Sequence, residues 1–192
     1  GSYTTVYPIK VNQQRHVVQE IVEFGAAHGV GLECGSKPEL QAVLGLHEST
    51  QHLIVCNGYK DEEFMRLALM GQRLGHQVFI VVEQLHELDL LLAVADEMGI
   101  VPTLGVRIKL ATEGSGRWAK SGGEKAKFGL SAVELMRLLT KLDRLGRKDL
   151  LQPKDLDREF TPGPRGSGAL LRRRDVLGGL AVTGRRDQVV ED

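Results

Sequence analysis

Lys10, Glu33, Asn57, Glu83 and Arg107 recur late in five apolar runs, at separations of 23, 24, 26 and 24 residues. An amine, two carboxylates, an amide and a guanidinium gathered in one place could hold and polarise a small carbonyl compound. A lysine among apolar walls and beside other cations is pushed toward its neutral amine, because desolvation and like charge disfavour the ammonium. A neutral amine condenses with an aldehyde. That is the requirement of Schiff-base chemistry, including the enzymes in which pyridoxal phosphate serves as the electron sink. Glu33, between Gly31 and Gly35, has room to lie near such an imine and orient it, and Arg107 can neutralise a phenolate or carboxylate. The spacing supports this constellation without identifying the cofactor. Solvated strand ends are the competing explanation for any one of these residues.

The elements that must position them follow from periodicity. Strand-like runs cover 6–12 (VYPIKVN), 30–36 (VGLECGS), 53–59 (LIVCNGY), 78–83 (VFIVVE) and 103–110 (TLGVRIKL). Alternation puts Tyr7, Ile9 and Val11 on one side of the first run and Val6, Pro8, Lys10 and Asn12 on the other. Between the runs, residues 16–29, 37–48, 61–76 and 84–99 carry apolar residues at helical spacing, with Gly29, Gly75 and Gly99 near the helix ends. A further helix is predicted over 131–146. This β-α-β-α order implies parallel strands with right-handed crossovers. The fold class is therefore α/β, a partial (β/α)8 barrel of about five units, and polar side chains at the C-terminal ends of such strands are where its active site is built.

Bulk properties narrow the partners. Lys plus Arg is 25 and Asp plus Glu is 25 in 192 residues, so no net field draws the chain toward nucleic acid or an anionic membrane. A small molecule or another subunit is the expected partner. Cys34 and Cys56 each lie inside an apolar run and read as reduced core residues, which favours the cytoplasm. No apolar stretch approaches the roughly 18 residues of a membrane span. The six histidines fall on predicted helices or loops without metal-ligand spacing. The glycine-rich stretch 111–129 lacks the ending of a phosphate-binding P-loop and reads as a lid or a long connection.

The pattern fails in the sixth unit. Leu150, Leu151 and Gln152 look like the start of a strand that Pro153 interrupts. The chain divides accordingly into 1–152, a partial barrel, and 153–192, which holds one aromatic residue, Phe160, and no histidine. That second part reads as an irregular, disordered tail or as a frame or assembly artefact.

YPIKVNQQR, GLECGSKPEL, CNGYKD, GVRIKL and GSGRWAKSGGEKAKFGLS together resemble the biosynthetic arginine decarboxylases, over about residues 3–152. The resemblance implies a pyridoxal-phosphate enzyme with an alanine-racemase-like barrel and a following β-domain, turning L-arginine into agmatine and CO2 for polyamine synthesis. It makes Lys10 the Schiff-base lysine, Glu33 the acidic residue near the imine and Arg107 the barrel arginine near the cofactor. Magnesium and homo-oligomers come with the family. The strands also resemble ornithine and diaminopimelate decarboxylases, while GSKPEL and the SGRW to KFG stretch pull toward arginine. A histidine-bearing strand, a glycine-rich phosphate loop and substrate-binding groups are expected after residue 152 and find no match in the tail, and an upstream segment is expected before residue 1. A complete barrel needs about 250 residues. Two other readings follow, a non-catalytic half-barrel and a pyridoxal-phosphate carrier or homeostasis protein.

Overall fold

The computed structural model describes residues 3–46, 53–109, 129–151, 159–162 and 169–172. Five strands, β1 (Tyr3–Pro8), β2 (Gly31–Cys34), β3 (Leu53–Cys56), β4 (Gln77–Val82) and β5 (Thr103–Val106), pair in parallel with their sequence neighbours. Each strand therefore lies beside the one before it. A doubly wound sheet would reverse direction partway, whereas a steady progression is the arc of a (β/α) barrel.

Helices α1 (Arg15–Gly25), α2 (Lys37–Leu46), α3 (Glu62–Arg73) and α4 (Leu85–Met98) connect successive strands, and α5 (Ala132–Arg144) follows β5. Their ends carry the expected chemistry. Asp61 accepts the Phe64 N–H at 2.9 Å, Ser131 and Glu134 close a capping box, and Gly99 ends α4 at φ 64°. The helices cover one face of the sheet, where Leu32, Ile54, Ile80 and Leu104 join Leu40, Phe64, Met65 and Leu91 in the main core. The other face carries a smaller cluster made only of strand residues, Val6, Leu53, Val55 and Val81, with Phe79 against it. This second face corresponds to the inside of a barrel. Cys34 and Cys56 are buried, unbridged and directly paired across β2 and β3, with their sulfurs 3.8 Å apart.

Three details depart from the sequence expectations. First, β1 stops at Pro8, and Ile9–Val11 forms a 3-10 turn, so Ile9 stays buried while Val11 is 54% exposed. Second, residues 150 and 151 do not start a sixth strand. They complete a 3-10 turn, Lys148–Leu151, whose two leucines are buried against β5. Third, within 153–192 the structure describes two strands, β6 (Glu159–Pro162) and β7 (Ala169–Arg172), which form an antiparallel pair. β7 also pairs antiparallel with β1, Tyr3 opposite Arg172 and Val6 opposite Ala169, so the sheet runs β5-β4-β3-β2-β1-β7-β6. The remainder of the tail, the stretch 110–128, and His47 and His52 lie outside the described residues.

Candidate active site

Alternation decides which side chains leave the C-terminal edge on the inner face. Glu33 stands opposite Pro8 and Val55 in the ladders of β2, and Asn57, Glu83 and Arg107 each lie two residues beyond an inner-face position, Val55, Val81 and Gly105. The loop ends are tied to the sheet. The Asn57 N–H donates to the Cys34 carbonyl at 2.8 Å and the Arg107 N–H to the Val82 carbonyl at 3.0 Å. Side-chain bonds then join neighbouring strands: Asn57 Nδ2 donates to Glu33 Oε1 at 3.1 Å, and Arg107 Nη1 donates to Glu83 Oε1 at 3.2 Å. Glu83 Oε1 also accepts the Gly58 N–H at 2.9 Å.

Gly58 is required at that turn. Its φ is 77°, and a Cβ there would stand 2.5 Å from the Gly35 carbonyl oxygen. Only glycine lets the loops after β2 and β3 approach this closely.

Burial sets the electrostatics. Glu33 is 7% exposed, and burial pushes its carboxyl above the usual carboxylate range, against the lowering by the Asn57 hydrogen bond and by the charges of Lys10 and Arg107. Lys10 itself is exposed in its 3-10 turn, so the apolar walls expected around it are absent from this structure. Its charge nonetheless reaches Glu33. The inner edge thus carries a buried, hydrogen-bonded carboxyl that feels two cations, the exposed Lys10 amine and Arg107.

A second lysine was not singled out from the sequence. Lys60, at the end of the CNGYKD stretch, is 4% exposed; its Nζ donates to the Gly58 and Val81 carbonyls at 2.6 and 2.5 Å and lies 3.7 Å from Glu87 Oε2. Burial pushes this ammonium below its ordinary value, with Glu87 and Glu83 opposing. Glu87 is fully buried at the third position of α4 and accepts the N–H groups of Lys60 at 3.0 Å, Glu83 at 2.7 Å and Gln84 at 3.3 Å. It is at once a helix cap and a counter-ion. The signal available in the sequence was the Q-x-x-E spacing of residues 84 and 87, which matches a capping box. These two loops also line a cavity of ≈ 360 Å³ bounded by Tyr59, Lys60, Asp61, Gln84, His86 and Glu87. Neither Lys10, Glu33 nor Arg107 lines it.

Residues 1–150 match the family described as "Pyridoxal-dependent decarboxylase, pyridoxal binding domain". The chain belongs to this decarboxylase family. It is 54% identical over 155 residues to the biosynthetic arginine decarboxylase of Vibrio vulnificus, covering 79% of this chain and 24% of that protein. The crystal structure of the biosynthetic arginine decarboxylase of Campylobacter jejuni superposes with a TM-score of 0.65 at 30% identity, over 76% of this chain and 23% of the other. A diaminopimelate decarboxylase from M. jannaschi, at 23% identity and a TM-score of 0.57 over 71% of this chain and 30% of its own, shows the shared fold. The chain therefore spans about a quarter of the length of the curated relatives it matches.

The residues of this decarboxylase domain fit the aldehyde end of pyridoxal phosphate. An exposed amine is available for condensation, and a buried carboxyl with a raised pKa stands beside it. Asn57 Oδ1 and Glu83 Oε2 are buried acceptors with no hydrogen-bond partner among the described residues. Both lie at the C-terminal edge, where a ligand could pair them. Among the described residues no group of three or more His, Cys, Asp or Glu could hold a metal ion. No helix among them is long and apolar enough to cross a membrane.

Proposed function

We propose that this chain is the leading part of the barrel of a pyridoxal-phosphate-dependent arginine decarboxylase, whose reaction turns L-arginine into agmatine and CO2. What supports the reading is the 54% identity to a biosynthetic arginine decarboxylase, together with a buried Glu33 carboxyl on which the charges of Lys10 and Arg107 both act. When bound, the cofactor supplies an electron sink for the bond that breaks at the substrate's α-carbon. The chain's own residues do the rest. Lys10 offers its amine to the cofactor aldehyde, and its exposure leaves the amine open to approach. Glu33, held by Asn57 and by burial, keeps a carboxyl able to carry a proton beside that nitrogen. Arg107, anchored on Glu83, offers a cation to an anionic group of cofactor or substrate. A homo-oligomer in the cytoplasm belongs to the same proposal.

The isolated chain is proposed to be inactive. A (β/α)8 barrel closes by pairing its eighth strand in parallel with its first, but here β7 occupies the β1 edge in antiparallel pairing. That pairing favours, as second reading, a half-barrel that holds the cofactor without turnover.

The test is borohydride reduction of the chain incubated with pyridoxal phosphate, followed by peptide mapping and an assay for CO2 from arginine. A reduced adduct on Lys10, lost in Lys10→Ala, with no CO2 release, is the expected result. An adduct that maps elsewhere overturns the assignment of Lys10. Arginine-dependent CO2 release abolished by Lys10→Ala overturns the proposed inactivity.

A further inference from the structure

Glu83 is the most deeply buried charged group at the inner edge, and none of the roles above explains its second oxygen. Its side chain is 0% exposed. Oε1 takes two donors, the Gly58 N–H and the Arg107 guanidinium, while Oε2 is buried without a hydrogen-bond partner among the described residues. A carboxylate kept in the interior with one oxygen unsatisfied costs stability, of order 1–3 kcal/mol for an orphaned buried acceptor in general. A residue chosen for packing alone would not keep such an atom.

Its backbone is held as firmly as its side chain. The Glu83 N–H donates to Glu87 Oε2 at 2.7 Å, and Glu87 is fixed by Lys60 and by the first turn of α4. Lys60 in turn clamps the Val81 carbonyl, two residues before Glu83, and the Gly58 carbonyl. The chain of contacts therefore runs from the Lys60–Glu87 pair through Glu83 to Arg107, whose side chain is 35% exposed. Every link involves at least one charged group, and the Glu83 N–H to Glu87 bond is short at 2.7 Å.

We infer that Glu83 is a positioning residue: it sets the direction in which Arg107 presents its guanidinium to the site beside Lys10 and Glu33. This deepens the decarboxylase reading and rests on it. Arginine has several rotatable bonds, and a guanidinium half in water wanders unless one nitrogen is anchored. The anchor sits on the strand next to that of Arg107, at the end of β4, so its geometry is set by the sheet and not by a loop tip. Removing its charge weakens this contact of Arg107 without touching Lys10.

The experiment compares the parent chain with Glu83→Gln, Arg107→Ala and the double variant, and adds Glu83→Asp in case the amide fails to fold. One arm reads the Arg107 Nη–H resonances in arginine-labelled protein, the group that donates to Glu83, assigned by their loss in Arg107→Lys, and needs no cofactor. In the parent these protons are expected to exchange slowly, and in Glu83→Gln at least about tenfold faster. The other arm reads pyridoxal phosphate affinity from the absorbance of the lysine-bound cofactor. Glu83→Gln is expected to weaken it by about fivefold to tenfold, and the double variant to be no weaker than Arg107→Ala alone. A purely structural Glu83 would leave the Arg107 resonances unmoved or make the two losses multiply, and either result overturns the inference. If the parent chain forms no adduct at Lys10, the decarboxylase reading fails, while the resonance arm still decides whether Glu83 holds Arg107.

Discussion

Replacing Glu87 with alanine is the sharpest test of how the edge of this sheet is held. Glu87 accepts three backbone N–H groups and faces the Lys60 ammonium, with both side chains at 1% exposure or less. Removing it orphans the three donors and leaves a buried ammonium without its counter-charge. Breaking a buried pair from one side costs about 3–5 kcal/mol, because the remaining charge stays desolvated. Lys60→Met removes the charge and fills the same space, leaving Glu87 its three backbone donors. It is expected to cost less than Glu87→Ala, because the carboxylate it leaves keeps three N–H donors, although the ion pair and the bonds to the Gly58 and Val81 carbonyls are lost. Urea unfolding at constant m-value reads both costs.

The pH dependence adds a second check on the same variant. The folded Lys60 has its pKa depressed by burial while the unfolded chain titrates near 10.5, and loss of Glu87 removes the largest opposing influence. Between the folded and unfolded values the unfolded state binds more protons, so stability rises with pH in that window. Glu87→Ala is therefore expected to recover part of its deficit as pH rises toward 10.5. A Glu87→Ala chain within about 1 kcal/mol of the parent, or less damaged than Lys60→Met, would refute the reasoning, because Glu87→Ala orphans three N–H groups as well as the ammonium, whereas the carboxylate left by Lys60→Met keeps those three donors.

Glu33→Gln is expected to stabilise the chain near neutral pH: the folded carboxyl holds its proton above the ordinary 4.5, so its stabilising share is present at low pH and lost as pH rises through the folded value. Unfolding curves from pH 3 to 8 should show the advantage shrinking as pH falls, and a constant advantage would count against burial as the cause. Gly58→Ala is expected to destabilise by more than about 1 kcal/mol, since the new Cβ meets both a positive φ and the Gly35 carbonyl; an unchanged urea midpoint would show that the two loops can part at no cost. Lys10→Ala should leave the same midpoint within about 0.5 kcal/mol, because the side chain is exposed, and a larger drop would assign Lys10 a structural role.

Much of this was legible in the chain. The run at 53–59 and the helix at 61–76 appear within a few residues of β3 and α3, because hydrophobic periodicity and an Asp cap are local signals. Glu33 and Arg107 were legible as edge residues for the same reason: parity along a strand is a property of neighbours. Alternation extends the first strand to residue 12, because it does not reveal that Ile9–Val11 coils into a turn after Pro8. Leu150 and Leu151 look like a strand and pack as a turn against β5, an outcome of tertiary burial. The Lys60–Glu87 pair escaped notice because lysines are mostly exposed, and its burial depends on two loops meeting.

What the sequence by itself determined is the order of the first five strands and their helices, the face that Glu33 and Arg107 take, and the family to which residues 1–150 belong. These depend on periods of 2 and 3.6 residues and on motif spacing, all local. Only the tertiary structure decided that Glu83 holds Arg107, that Lys60 is buried, that Lys10 is exposed, and that β7 occupies the edge of β1. Those facts join residues 24 to more than 160 positions apart. Loop closure and desolvation between distant segments set them, and neither leaves a trace in any short window of the chain.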